Sequence, residues 1–304
     1  MEVNGVVNLY KEKGFTSQDA LRVLKGILKG CKVGHTGTLD PDATGVLPVC
    51  VGKATKAAEI ITGTDKTYLA TLRFGSETDT EDASGQVTKT YTYTFDEAKV
   101  REVCASFVGE QTQIPPMYSA IWVDGRRLYD LARKGIEIER EARPITIHSL
   151  TIESLSEEEM SIRVTCSKGT YIRTLCADIG RKLGYGAHMT SLVRTASGPY
   201  RIEDSLTLRQ IEALFREGRT EEFLTDLSTL FSYLRAFRVS EEDDVYLRSG
   251  NYLTYPISEF DGEECEMIRM ELSDGHLAAL YKVGEHLKYK GEPSVRLRAF
   301  KMFV

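Results

Sequence analysis

The sequence predicts an α+β protein: a mixed β-sheet flanked by helices, with a small β-rich domain appended at the C-terminal end. Between residues 5 and 235, strand-like alternating runs interleave with runs whose apolar residues recur at helical spacing. From about residue 236 short strands and turns take over. A length of 304 residues suits one large domain and one small one, divided here as 1–235 and 236–304.

In chain order, residues 5–10 read as a strand. Thr16 or Ser17 can cap the helix that follows. Leu21, Leu24, Ile27 and Leu28 give that helix one apolar stripe, and Gly30 suits its end. Residues 34–49 hold three glycines and two prolines, too many for a helix or a regular strand, and a buried strand follows from Val46 to Val51. Asp40 therefore sits in a tight loop just ahead of a strand. Pro41 biases it toward extended geometry, and Gly37 and Gly45 permit positive φ or a close backbone approach. His35 lies five residues upstream. Taken alone, Asp-Pro-Asp-Ala-Thr-Gly reads equally well as an ordinary turn.

Residues 53–61 read as a helix, and 66–74 as a strand with Tyr68 early in it. The polar stretch 75–85 reads as a surface loop. Residues 96–108 read as a helix with Val100, Val103, Cys104 and Phe107 on one face. The stretch 114–144 differs in character. An extended lead-in is followed by Trp122, Arg126, Arg127, Tyr129, Arg133, Lys134, Arg140 and Arg143. Cations interleaved with aromatics suit a nucleic-acid backbone with exposed bases. The competing interpretation is a solvated arm whose arginines pair with Asp130, Glu137, Glu139 and Glu141. Residues 146–155 and 161–166 read as a strand pair, Lys168-Gly169 as a turn, 170–184 as a helix, 187–195 as a short strand, and 208–215 and 220–234 as helices. Four further strands are expected at 252–257, 267–272, 277–282 and 295–303.

Composition narrows the class. Apolar and charged fractions of 41% and 28% are those of an ordinary globular chain, and no apolar run approaches the ~20 residues that span a bilayer. Residues 1–5 lack a basic and an apolar signal region, so no secretory signal is expected. The six cysteines are scattered without metal spacing, which points to reduced thiols in a cytoplasmic protein. A net charge of −6 argues only weakly against a nucleic-acid partner, because screening makes local patches decisive. Glu157–Glu159, Glu241–Asp244 and Glu263-Glu264 read as solvated faces. Gly52-Lys53-Ala54-Thr55 is no phosphate-binding loop: the preceding glycine is misplaced and Ala54 stands where a magnesium-binding hydroxyl belongs. Gly184-Tyr185-Gly186 follows a helix and lacks a third glycine, so it is no dinucleotide fingerprint.

Five motifs, in order, resemble one family. They are Gly34–Pro48 (Gly-His-Thr-Gly-Thr-Leu-Asp-Pro-x-Ala-Thr-Gly-Val-Leu-Pro), Lys66-x-Tyr68, Pro115–Ala120, Gly125-x-Arg127-Leu128-Tyr129 and Lys168–Leu175. Together they are similar to the TruB family of bacterial pseudouridine synthases, which isomerise the T-loop uridine at position 55 of tRNA. The resemblance covers residues 5–235, and the tail resembles the family's diverged PUA-like domain. It implies a pseudouridine-synthase-like fold with Asp40 as the catalytic aspartate and Arg173 as its salt-bridge partner. Tyr68 would lie against the flipped uracil and assist proton removal from C5. His35 would hold the extruded-base conformation, and Tyr171 and Leu192 would wall the base pocket. The 114–144 arm would be the RNA-gripping insertion of a stand-alone enzyme, a monomer that needs neither guide RNA nor protein partner. Trp122 stands where the family usually has lysine, which points to stacking in place of one phosphate contact. Asp42 adds a charge near Asp40 where an apolar residue is common.

The implied chemistry explains the residues. Pseudouridine formation breaks the N1–C1′ bond, turns the base and rejoins it through C5. Asp40 could attack C1′ or C6, or remove a proton at C2′, and each route needs an ionised carboxylate. Burial under a base opposes ionisation, and an arginine partner restores it. The overall change involves no redox step, group transfer or hydrolysis, so neither cofactor nor metal is expected. Zinc deaminase signatures are absent. The alternative is a non-enzymatic protein that binds and folds tRNA through the same surface.

Overall fold

The computed structural model describes residues 3–119, 121–123, 125–260 and 266–304. Ala120, Glu263, Glu264 and Cys265 lie outside them. The chain opens with β1 (Gly5–Lys11), α1 (Ser17–Ile27), β2 (Val33–His35) and β3 (Thr44–Val51). A 3-10 segment, Gly52–Ala57, leads into α2 (Ala58–Thr62) and β4 (Lys66–Phe74). Then come β5 (Ser76–Thr78), β6 (Val87–Thr90), α3 (Glu97–Ala105), β7 (Gly109–Gln113), β8 (Trp122–Val123), β9 (Arg126–Arg127) and α4 (Leu128–Ala132). The next elements are β10 (Arg143–Leu155), β11 (Glu159–Cys166), α5 (Ile172–Leu183), β12 (Ala187–Ser197), β13 (Tyr200–Arg201), α6 (Leu208–Arg216), β14 (Leu224–Thr225) and α7 (Leu227–Leu230). The remainder is β15 (Ala236–Arg238), α8 (Asp244–Arg248), β16 (Leu253–Pro256), β17 (Met267–Glu271), β18 (Leu277–Tyr289) and β19 (Glu292–Met302).

Ten strands form one sheet in the order β14-β1-β3-β12-β4-β11-β10-β7, with β2 added on β3 and β13 on β12. All its pairings are antiparallel except β3 with β12, so the sheet is mixed. Helices α1, α3, α5 and α6 contribute buried apolar residues to the core on this sheet. Five strands, β15-β17-β18-β19-β16, form a second sheet with its own core. Its seam with the first runs through Ala57, Phe231, Leu280 and Phe303, with the two phenylalanine rings stacked 5.8 Å apart. Among the described residues no helix is long and apolar enough to cross a membrane.

Strand β12 is the hinge of the design, because it joins the two halves of the large sheet. Val193 and Arg194 pair with Thr44 and Gly45 on one side, and Leu192 and Arg194 with Ala70 and Tyr68 on the other. Gly45 sits at φ 103°, where a side chain is strained, and a Cβ there would lie 2.3 Å from the Arg194 carbonyl oxygen. Gly45→Ala should therefore cost on the order of 3 kcal/mol or more. The check is the urea midpoint of unfolding; an unchanged midpoint would mean that β3 and β12 can separate without penalty.

Several segments depart from expectation. The strand expected from Val46 begins at Thr44, and Val33–His35 pairs with Val49–Val51, so the Asp40 loop is confined to residues 36–43. The 53–61 helix is a 3-10 segment followed by a short α-helix. The stretch 220–234 is not one helix. Leu224–Thr225 is drawn onto the edge of β1, and the Asp226 side chain accepts from the Thr229 amide to start a new turn. Two carboxylates of the 241–244 run are engaged: Asp243 accepts from the Tyr255 hydroxyl and Asp244 from Ser273.

Buried titratable groups fix the alkaline behaviour. Cys31, Cys50, Cys104, Cys166 and Cys176 are free thiols. Burial pushes Cys50 up to about 12, Cys104 and Cys166 up to about 11, and Cys176 upward as well. Burial pulls Lys11 and Lys66 down to about 8. The raised thiols contribute stability that is complete below their unfolded value of roughly 8.5 and is lost as pH climbs toward 11. The lysines work in the other sense: their contribution is complete above their unfolded value of roughly 10.4 and is lost as pH falls through 8. Four thiols outweigh two ammonium groups, so the Tm should fall between about pH 8.5 and 10. Calorimetry under reducing conditions checks this, and a rising Tm would reverse the weighting.

Candidate active site

The Asp40 loop is clamped from below. Thr16 caps α1 in a reciprocal pair with Asp19, which turns Ser17 toward the loop. The Ser17 hydroxyl donates to the Leu39 carbonyl at 3.1 Å and accepts from the Leu39 amide at 2.9 Å. Lys11 is 1% exposed and donates to the carbonyls of Phe15 at 2.6 Å and Pro41 at 3.1 Å. Arg194, also 1% exposed, donates to the carbonyls of Val46 at 2.7 Å and Gly37 at 3.1 Å. The residues on either side of Asp40 are thus pinned, while its own side chain is 42% exposed.

Arg173 completes the arrangement from the first turn of α5, almost wholly buried. Its Nε lies 3.0 Å from Asp40 Oδ2, and its Nη2 lies 3.5 Å from Oδ1. Nη1 donates to the Thr80 carbonyl at 3.0 Å, Nη2 to the Tyr118 carbonyl at 2.8 Å, and Asp82 Oδ2 stands 3.7 Å from Nε. One planar guanidinium therefore fastens three separate segments together, a task that suits its rigid fork of donors.

The stretch 75–85 is more than the solvated loop expected. Met189 donates its amide to the Glu81 carbonyl, and Ala83 donates to the Met189 carbonyl, which lays the loop on β12. Glu81 accepts from the Thr174 hydroxyl at 2.6 Å, and burial pushes its carboxyl up. Asp82 accepts from Thr80 and Ser84. These contacts place Asp82 behind Arg173 as a second carboxylate, in ion-pair range.

The remaining sequence-singled residues fall around this pair. Tyr68 and Leu192 share one face of the sheet with Arg194, as their register requires. Burial pushes the Tyr68 phenol up, with the Arg194 guanidinium opposing, and the Asp40 charge acts on it as well. Tyr171 caps α5 and is half-buried. Its amide donates to Gln113 Oε1 at 2.8 Å, and Gln113 Nε2 donates back to its carbonyl at 3.0 Å. Burial raises the Tyr171 phenol too, and Arg173 and Asp40 both act on it. His35 stands at the loop's entry, where its Nδ1 accepts from the Gly37 amide at 3.3 Å. Burial and the nearby Arg194 lower its pKa, so it is a neutral imidazole at pH 7. Among the described residues no hydrogen bond joins His35 to Asp40. Asp42 is exposed at the loop's outer edge.

Lys11, Asp82, Gln113 and Arg194 were missed in the sequence. Parity could have found two of them: Lys11 follows Val7 and Leu9 on the buried side of β1, and Arg194 follows Leu192 on β12. In the arm, Arg126, Arg133, Lys134 and Arg143 are exposed. Among the described residues only Arg140 pairs a carboxylate of the arm, Glu137 at 3.4 Å.

Residues 25–172 match the profile described as TruB family pseudouridylate synthase (N terminal domain), and residues 173–237 match the tRNA pseudouridylate synthase B C-terminal domain. A tRNA pseudouridine synthase B of Geobacillus thermodenitrificans is 39% identical over 313 residues, spanning 99% of this chain and all of that relative. The chain belongs to the TruB family of pseudouridylate synthases. The Bacillus subtilis tRNA pseudouridine synthase B is 42% identical, covering 92% of this chain and 93% of the relative. Among solved structures, a Cbf5-Nop10-Gar1 complex contains a chain that superimposes with a TM-score of 0.73 at 25% identity, covering 99% of this chain and 85% of that one. The TruB fold accounts for the mixed sheet and the appended β-rich part alike, and its motifs supply Arg173, Asp40 and Tyr118, while Thr80 and Asp82 lie outside them.

Proposed function

We propose that this enzyme isomerises the T-loop uridine at position 55 of tRNA to pseudouridine, with Asp40 as the reacting carboxylate. The observation that carries this is the Asp40–Arg173 pair at 3.0 Å, held between three segments while Asp40 itself stays open to solvent. Such a carboxylate is aimed, and it can meet C1′, C6 or the C2′ proton of a nucleotide placed over it. Tyr68, Tyr171 and Leu192 wall the place where a uracil would lie. His35 at the loop's entry would face the RNA and support the extruded conformation. Extrusion from a stack costs a few kcal/mol, and stacking on an aromatic returns about 1–3 kcal/mol per base. The exposed cations of the 114–144 arm would grip phosphates and set the register. The isomerisation balances without redox or hydrolysis, so Asp40 needs no cofactor or metal beside it. In this proposal the enzyme is a cytoplasmic monomer without a guide RNA, in which 1–235 is the catalytic domain and 236–304 a PUA-like appendage.

The test is mass-spectrometric mapping of pseudouridine in an unmodified tRNA transcript incubated with the purified protein alone. Conversion confined to the T-loop uridine is expected. No conversion with tRNA binding intact would favour a non-enzymatic tRNA-folding protein instead.

A further inference from the structure

The hairpin β8–β9 carries a feature that the Asp40 chemistry does not use. Trp122, the sole tryptophan of the chain, is 62% exposed. It faces a hollow of about 550 Å³ lined by Gly125, Arg126, Leu131, Arg133 and Lys134, with Asp130 the one carboxylate among the described residues. That volume lies within the range of small-ligand clefts, roughly 300–1,000 Å³. The root of the hairpin is bonded to the active site. Tyr129 donates its amide to the Ser119 carbonyl, Leu128 donates to Ile121, and the neighbouring Tyr118 carbonyl accepts from the Arg173 guanidinium that holds Asp40. Four residues of extended chain reach at most about 14 Å, so Trp122 lies within that distance of Tyr118.

An exposed indole flanked by cations is the arrangement that takes an unpaired base, because every base has a π-face and its phosphates need positive charge. We infer that Trp122 stacks on a second unpaired base of the RNA loop that delivers the target uridine, with Arg126, Arg133 and Lys134 on the adjoining phosphates. This rests on the RNA-isomerase assignment above. It makes Trp122 a residue that selects loops with a base to spare beside the target, and predicts an effect on affinity rather than on the chemical step.

The single tryptophan is its own reporter. Titration of the full chain with a T-stem-loop RNA should quench Trp122 emission, saturating at the dissociation constant measured independently by filter binding. Trp122→Ala should weaken binding about 5- to 150-fold, the affinity equivalent of one lost stack. Trp122→Phe should stay within about 3-fold by the same stacking argument. The slope of log Kd against log salt should be unchanged in Trp122→Ala, since no phosphate contact is lost, but should fall by about one in Lys134→Ala. Trp122→Ala should raise the KM for RNA more than it lowers kcat. Unchanged emission at saturating RNA, or wild-type affinity in Trp122→Ala, would overturn the stacking while leaving the isomerase assignment in place. A wild-type protein that neither binds the RNA nor forms pseudouridine would overturn both.

Discussion

Asp40→Asn should abolish turnover, by ~10⁴-fold or more, while tRNA affinity stays within about 3-fold. The two expectations come from different parts of the geometry. Every route open to the carboxylate needs its charge, and asparagine keeps the shape without the charge. The amide can still accept from Arg173, whose other donors remain on Thr80 and Tyr118, so the loop should keep its form. RNA affinity should rest on the arm and on the proposed walls Tyr68, Tyr171 and Leu192, which the substitution leaves alone. Single-turnover mapping of pseudouridine, beside a binding isotherm for the same transcript, separates the two. Turnover within tenfold of wild type would remove Asp40 from the chemistry. Loss of binding and turnover together would mean that the substitution had collapsed the loop, and the urea midpoint would report that directly.

What the sequence disclosed follows the range over which its signals act. The Asp40 loop was legible because glycine and proline restrict the backbone locally, and α1 because its cap and stripe lie within one element. Gly45 was legible as a place of close approach, and Arg194 proves to be what approaches it. Six strands of the large sheet, β1, β3, β4, β10, β11 and β12, were legible; the short strands β2, β7, β13 and β14 were not, and neither was the strand order. The pairing of Asp40 with Arg173 spans 133 residues, and no local pattern encodes that distance. It entered through motif resemblance. The stretch 75–85 misled because its Ser, Thr, Asp and Glu residues have the composition of a solvated loop. Within it the Thr80 carbonyl and the Asp82 carboxylate face one buried guanidinium, and only the fold supplies that guanidinium. Residues 220–234 misled in the opposite sense: their composition favours a helix, yet the unpaired edge of β1 takes Leu224 and Thr225 as a strand. Lys11 and Arg194 stood at core-facing positions of their strands. A charge in a buried register is the signal that should have drawn notice, since such a group must be satisfied by carbonyls or carboxylates close by.

Arg173→Met should cost both activity and stability, and Arg173→Lys should restore the second more than the first. The guanidinium donates to two backbone carbonyls and stands between two carboxylates. Methionine fills the space, leaves the two carbonyls without that donor and removes the countercharge from both carboxylates, although Asp82 keeps Thr80 and Ser84. Asp40 is 42% exposed and can turn to water, so most of the penalty comes from Asp82, which is 19% exposed, and from the Thr80 and Tyr118 carbonyls. An expected loss of about 2–4 kcal/mol follows, below the top of the range for broken buried pairs because one partner is solvated. Lysine returns the charge but not the fork, so it can serve one carboxylate or the carbonyls without holding all three segments in register. Activity should fall ~10²-fold or more in both variants, because a carboxylate that wanders by an ångström loses its aim. The decisive measurement is a double-mutant cycle. Arg173→Met combined with Asp82→Asn should be less destabilised than the sum of the two single changes, since Asp82 is then no longer an unpaired charge. Strict additivity would mean that Asp82 does not feel Arg173, and the 75–85 loop would lose its place in the site. Turnover in Arg173→Met near that of wild type would show that Asp40 is oriented by the clamp beneath it, through Ser17, Lys11 and Arg194, rather than by the arginine above.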